Sequence, residues 1–178
     1  MFDENKKEMT ELVDGIAFAN GVQLTRKEDA VLICETTKAR LLRYNLKGPK
    51  SGTLEVVNDN LPGLPDNIRP SSSGGYWIGF ALIRKKGKFS FMDFCAEKPW
   101  LRSFIMKQVI PMDAILAALP KYGLLIEVDD NGNIMRSLHD PTGKVIPSLS
   151  EAEDKNGVLH FGSYNLPFMG RLYLARIR

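Results

Sequence analysis

Apolar residues in this chain fall in short runs, with alternation inside the runs and turn-forming residues between them. Gly21-Val22-Gln23-Leu24, Ala30 to Glu35, Arg40 to Leu46 and Thr53 to Val57 follow one another across breaks rich in Lys, Asp, Pro, Gly and Ser. Runs of this length and period read as strands. Four in succession are the content of one β-propeller blade. The series restarts at Asn67-Ile68 and Tyr76 to Phe80, resumes at Gly123 to Val128 and closes at Ile134 to Leu138. There Asn131-Gly132 predicts a primed hairpin turn. A third series runs Pro147 to Glu151, Val158 to Ser163 and Arg171 to Ile177, with Asn156-Gly157 as a turn. Met9 to Val13 reads as the outer strand of a further unit. The expected units are 14–60, 61–83 with 123–143, and 144–178. Asn20 and Asp66, each at a strand start, stand 46 positions apart. From Asp66 to Ser150 is 84 positions. Removing an interruption of roughly 38 restores about 46, within the range of propeller repeats.

The interruption, 84–122, changes the period. Trp100, Leu101, Phe104, Ile105 and Val109 recur at three- and four-residue spacing. Ser90 or Asp93 suits the cap of a first helix, Pro99 the start of a second, and Pro111 divides the second from a third. This insertion reads either as a helical cap packed on its own propeller or as a lid that also touches a membrane surface. The second reading rests on aromatic and basic residues interleaved around Trp100-Leu101-Arg102 and Met106-Lys107.

Composition changes this picture little. Hydrophobic residues at 44% and charged residues at 25% are those of an ordinary globular domain. A net charge of +3 gives no argument for a nucleic-acid partner. Met1 to Lys7 is polar and lacks the apolar region of a signal peptide, and no run of about 20 apolar residues spans a membrane. Cys34 and Cys95 permit one disulfide, although Cys34 lies in an apolar strand, where a buried free thiol is the plainer reading.

Candidate chemistry gathers at strand starts. First strands line a propeller's central channel, so Asn20, Asp66 and Asn67 are expected to converge. One carboxylate and two carboxamides form an oxygen set that suits Ca²⁺ rather than zinc. The competing reading of the same residues is an Asn-Gly turn and an Asp-Asn strand cap bonded to their own backbone. Glu35, beside Thr36-Thr37, reads as a hydrogen-bonded channel residue or a structural one. His139-Asp140 reads as a surface turn, His160 as a packing histidine, and Glu151 and Glu153 as a solvated edge. The chain has no Gly-x-Ser-x-Gly elbow, Walker loop, dinucleotide fingerprint or His-Glu-x-x-His motif.

Several stretches carry a family resemblance. Phe18 to Leu24, Glu35-Thr36-Thr37, the long run Leu64 to Trp77, Arg136 to Pro141 and Phe161 to Tyr164 resemble the strictosidine-synthase-like family. The resemblance covers nearly the whole chain and corresponds to the C-terminal half of a family member. It implies half of a six-bladed β-propeller related to paraoxonases and lactonases. It also implies membrane association, through an anchor in the animal members, and arylesterase-like hydrolysis. By the same resemblance a channel Ca²⁺ is bound at Asn20 and at Asp66-Asn67, while a Glu, another Asn and the catalytic histidines belong to the other half. True strictosidine synthase carries a glutamate six residues before the turn of its last blade. Here that place, counted back from Asn156-Gly157, holds Ser150.

The resulting expectation is a mainly β fold of about three blades with a helical cap. Its activity is expected to be calcium-dependent hydrolysis of a small apolar ester or lactone. The alternative is a non-catalytic, membrane-associated propeller scaffold with a structural ion. Three blades cannot close a ring, so the chain is expected to be part of a longer protein or to pair with a second copy.

Overall fold

In the computed structural model, described over residues 2–84, 87, 94, 98–107 and 121–176, the alternating runs fold into three successive antiparallel sheets. The first holds β3 (Ala19–Leu24), β4 (Ala30–Glu35), β5 (Arg40–Asn45) and β6 (Leu54–Asn58), side by side in chain order. The second holds β7 (Gly63–Pro70), β8 (Tyr76–Ile83), β9 (Gly123–Val128) and β10 (Ile134–Asp140), again in order. The third holds β11 (Glu151–Lys155), β12 (Val158–Gly162) and β13 (Gly170–Tyr173). A small ribbon of β1 (Phe2–Asp3) and β2 (Glu8–Met9) precedes them. The fold is mainly β, and its sheets are blades of a partial propeller.

The first strands of the three sheets lie against one another, β3 on β7 and β7 on β11. One glycine sets how close β3 comes to β7, and another, on β8, how close the second sheet comes to the chain entering β11. A Cβ on Gly21 would meet the Asp66 carbonyl oxygen at 2.5 Å, and one on Gly79 would meet the Ser150 carbonyl at 2.6 Å. No larger residue fits either crossing without moving backbone.

The core lies between the sheets. Leu32, Cys34 and Leu41 of the first sheet pack on Ile68, Tyr76, Ile78, Phe80 and Ile126 of the second. Trp77 and Leu125, on the other face of the second sheet, pack on Leu149, Ala152 and Leu159. Side chains of this size contribute about 1.5–3 kcal/mol each when fully buried. Cys34 is a buried free thiol.

Polar ties also join the blades at the turn end of the inner strands. Arg26, in the β3–β4 turn, donates from Nε to the Gly74 carbonyl at 3.1 Å and from its terminal nitrogen to Ser71. Its backbone N–H donates to the Tyr76 hydroxyl at 2.9 Å, which in turn donates to Asp130 at 2.8 Å. Ser72 donates from N and Oγ to Asp154 of β11 at 2.9 and 2.6 Å. Ser73 donates to buried Glu127, whose other oxygen takes Arg136 Nε at 2.5 Å.

Several expectations need correction. The third sheet begins at Glu151, not Pro147, because Ser148 takes a left-handed φ of 54° and turns the chain first. Its last strand ends at Tyr173 in a 3-10 turn over Leu174–Arg176. Met9 to Val13 is not an outer strand; only Glu8–Met9 pairs, with Phe2–Asp3. Gly132 has φ 78° but Asn131 does not turn left-handed, so this hairpin is not type I′. At Asn156-Gly157 both residues do, with φ of 54° and 74°. Pro99 opens helix α1 (Pro99–Lys107). The helices expected near Ser90 or Asp93 and after Pro111, and Cys95, lie outside the described residues.

Candidate metal centre

Asn20, near the start of β3, meets Asp66, which is not at a strand start as expected but fourth of the eight residues of β7, because that strand already opens at Gly63. Ala19 pairs with Glu35 and Val22 with Ile33, so three steps along β3 face two along β4. The extra residue falls in Asn20-Gly21. Pro65 pairs with Phe80 and Ile68 with Ile78, which puts a second such irregularity at Asp66-Asn67. Bulges re-aim side chains and loosen the ladder where they occur. Across this doubly bulged contact the Asn20 carboxamide Nδ2 donates to Asp66 Oδ1 at 2.8 Å. All three predicted residues are half-buried. Asn67 is fixed by its backbone N–H, which donates to the Ser150 carbonyl at 3.1 Å.

The third blade contributes to the same mouth. Ser150 Oγ accepts the Tyr164 N–H at 3.2 Å. Burial, then the negative charge of Asp66, raises the Tyr164 phenol above its ordinary pKa, and a hydrogen bond with Ser148 works the other way. Burial, and again Asp66, pushes the Cys34 thiol far up. Two left-handed residues lead the chain into this region: Phe18 with φ 64°, two before Asn20, and Ser148, two before Ser150. Neither carries the glycine that such a conformation favours, and strain of this kind collects at functional sites.

The donor set tests the fit of a cation. It is all oxygen, with one formal charge, as a hard cation requires. In the present geometry the nitrogen end of the Asn20 carboxamide faces Asp66; turning the amide over presents its oxygen to the same point at the loss of one hydrogen bond. The structure joins the side chains of Asn20 and Asp66, and of Asn67 it fixes the backbone; the three side chains together would fill part of a shell of about six to eight oxygens, with water or further protein segments for the rest. Among the described residues, no three His, Cys, Asp or Glu side chains cluster as an alternative metal site.

Other candidates fall elsewhere. Glu35 is fully buried but does not orient Asn20 or Asp66 directly. It accepts the Ala17 N–H at 2.9 Å and pairs with Arg40 at 2.5 Å and Lys38 at 3.4 Å. Burial alone would raise its pKa; the Ala17 bond and the two cations outweigh it and hold the carboxyl below its ordinary range. His139 is not in a turn: it lies in β10 with Nδ1 2.9 Å from the Tyr122 hydroxyl and Nε2 2.8 Å from Ser137 Oγ. His160 is half-buried, opposite Glu153 and Arg171. Glu151 is not a free edge carboxylate, since it pairs with Arg69 of β7 at 2.5 Å.

Sequence reasoning missed Tyr164 as a member of the mouth. It met Ser150 only as the phase mark of the third repeat and as the place of the family's glutamate, not as a residue bonded to its neighbours there. It also missed that Ser71, Ser72 and Ser73 tie blades together, since serines before Gly-Gly read simply as a turn.

Known proteins are similar to this chain in sequence. A family model described as strictosidine synthase matches residues 1–49. The chain is 44% identical over 176 residues to the adipocyte plasma membrane-associated protein of Gallus gallus, covering 99% of this chain and 42% of that protein. The human protein of the same name is 43% identical over the same span and coverage. A protein named strictosidine synthase-like 10 from Arabidopsis thaliana is 36% identical over 172 residues, or 95% of this chain and 45% of that protein. The chain thus spans less than half the length of these relatives. With near-complete coverage of this chain by such relatives at 36–44% identity, the chain belongs to the strictosidine-synthase-like family.

Proposed function

We propose that this chain forms the cation-binding half-ring of a calcium-dependent hydrolase acting on aryl esters or lactones, and not a strictosidine synthase. The observation that carries the reading is the 2.8 Å junction of Asn20 and Asp66 between strand bulges 46 residues apart. Asp66 supplies the charge at this point, and the carboxamides of Asn20 and Asn67 supply neutral oxygens. A calcium ion bound there would polarise the substrate carbonyl and stabilise the oxyanion that develops on it. Tyr164, with its phenol pKa raised, stays protonated at neutral pH and offers an O–H donor at the same mouth. Ser150 fixes the Asn67 and Tyr164 backbones around it. The absence of a glutamate at Ser150 argues against amine–aldehyde condensation.

Membrane association follows from the name of the animal relatives and from helix α1. Trp100 is 71% exposed and Phe104, one turn on, 56%. Such a pair suits the lipid headgroup boundary and an apolar substrate arriving from it. No helix among the described residues is long and apolar enough to cross a membrane.

A scaffold with a structural ion is the second reading. It is favoured by the placement of both histidines away from the mouth, on β10 and β12. The two separate on calcium-dependent release of chromophore from an aryl ester. Turnover that requires calcium and is lost in Asp66→Ala supports the hydrolase; calcium binding with no turnover of esters or lactones supports the scaffold.

A further inference from the structure

The turn after β4 grips both strands that carry Asn20 and Asp66. Glu35 closes β4, and Thr36 and Thr37 follow it. These three residues hold the segment entering β3 by three bonds. Glu35 Oε1 accepts the Ala17 N–H at 2.9 Å, the Thr37 N–H donates to the Ala17 carbonyl at 3.3 Å, and the Thr36 N–H donates to the Phe18 carbonyl at 3.1 Å. Phe18 is the left-handed residue two positions before Asn20, and such a conformation persists only where its surroundings over-determine it. Of the three, Thr36 also reaches the second blade. Its hydroxyl donates to the Pro65 carbonyl, one residue before Asp66, at 2.7 Å.

The strand it reaches is short of bonds there. Pro65 has no N–H to give, and the ladder to β8 is irregular between Pro65 and Ile68. Asp66 and Asn67 therefore lie where β7 is least held by its own sheet. The flanking blades supply what fixes them: the Thr36 hydroxyl at Pro65 from the first, and the Ser150 carbonyl at Asn67 from the third. Thr36 is 8% exposed, so water does little to replace its bond. Its branched Cβ restricts χ1, which ties the place of the hydroxyl to the turn that carries it. One residue thus bonds Phe18 through its backbone and Pro65 through its side chain. We infer that Thr36 is the positioning residue of the Asn20–Asp66 junction, setting the separation of the two strands that present these side chains. For calcium this rests on the cation reading of Asn20 and Asp66; the junction itself is read without an ion.

The test follows the Asn20 Nδ2 protons by NMR in the ion-free 178-residue chain and then titrates calcium by calorimetry. Thr36→Val keeps the branched shape and deletes the donor, Thr36→Ala deletes both, and Thr36→Ser keeps the donor. In Thr36→Val and Thr36→Ala the Asn20 signals should move to the positions of a free carboxamide, and calcium affinity should fall about tenfold. Thr36→Ser should keep the wild-type signals and an affinity within about threefold of wild type. Ser72→Ala removes an inter-blade hydroxyl bond at the turn end and should move neither readout. Circular dichroism reports folding; if Thr36→Val loses the strand spectrum, Thr36→Ala set against Thr36→Ser decides. Wild-type Asn20 signals in both deletions would overturn the assignment. So would Asn20 signals that move as far in Ser72→Ala or Thr36→Ser as in Thr36→Val, since that is general loosening. Release of Asn20 in the deletions with no calcium uptake by the wild type would sink the cation reading and leave Thr36 as the positioning residue.

Discussion

The two ends of the inner strands are built on opposite plans. At the turn end, Arg26, Ser71, Ser72, Ser73, Tyr76, Glu127 and Asp130 saturate one another, and the ties cross from the first blade to the second and from the second to the third. At the mouth end both strands bulge, two residues take left-handed backbone, and two side-chain bonds span the first two blades, Asn20 to Asp66 at 2.8 Å and the Thr36 hydroxyl to the Pro65 carbonyl at 2.7 Å. Ordered ladders and buried polar pairs at one end fix the geometry that bulges relax at the other. If the proposed cation site lies at the mouth, this partial propeller keeps its stability and its chemistry apart, and substitutions at the two ends should separate accordingly.

The largest effect should come from Glu127→Ala. It strips a nearly fully buried carboxylate from Arg136 and Ser73; Arg136 is 36% exposed, so water compensates part of the loss, and the cost should be about 2–3 kcal/mol. Urea denaturation measures this, and a loss under about 1 kcal/mol would break the contrast at its strong end. Tyr76→Phe removes one bond to Asp130 and one from Arg26, and should cost about 2 kcal/mol. The phenol's pKa, pushed up to about 12 by burial and by the Asp130 bond, should be visible as late ionisation in ultraviolet titration.

Much of this was legible beforehand. The period-two runs located β3 to β6 almost to the residue, and the 46-residue interval brought Asn20 opposite Asp66. The bulges were not legible, because they arise from pairing between strands and leave no mark in either strand alone. The third blade was placed four residues early because the left-handed turn at Ser148 has no glycine to announce it. Glu35 was left open between a channel and a structural role for a related reason, and the structure gives the structural one. Its neighbours in sequence are hydroxyls, but its partners, Ala17 and Arg40, come from the chain entering β3 and from β5.

Acid should sharpen the comparison more gently. Asp140 accepts backbone N–H groups from Ile146, Val145 and Thr142, which hold its pKa at about 2 against an ordinary 3.8, despite some opposing burial. Glu35 is likewise held low. Both folded pKa values lie below the unfolded ones, so their stabilisation is complete above about pH 5 and declines as pH falls through the carboxylate range towards 2. Thermal melts should therefore be flat between about pH 5 and 7 and fall below about pH 4. In Asp140→Asn the acid fall should be shallower, because the loop from β10 to Ser148 no longer depends on that charge. An unchanged profile would remove Asp140 from the account.

Smallest in stability is Asp66→Ala. At a half-buried, bulged position it should move the unfolding free energy by less than about 1 kcal/mol. Its effect should appear in ion binding instead, and calcium titration calorimetry reads that directly. The wild-type protein and Ser72→Ala, altered only at the turn end, should each take up calcium in a saturable one-site isotherm, and Asp66→Ala should show none. Equal isotherms for wild type and Asp66→Ala, or no calcium uptake by any of the three, would contradict the assignment of Asn20, Asp66 and Asn67 to a metal centre.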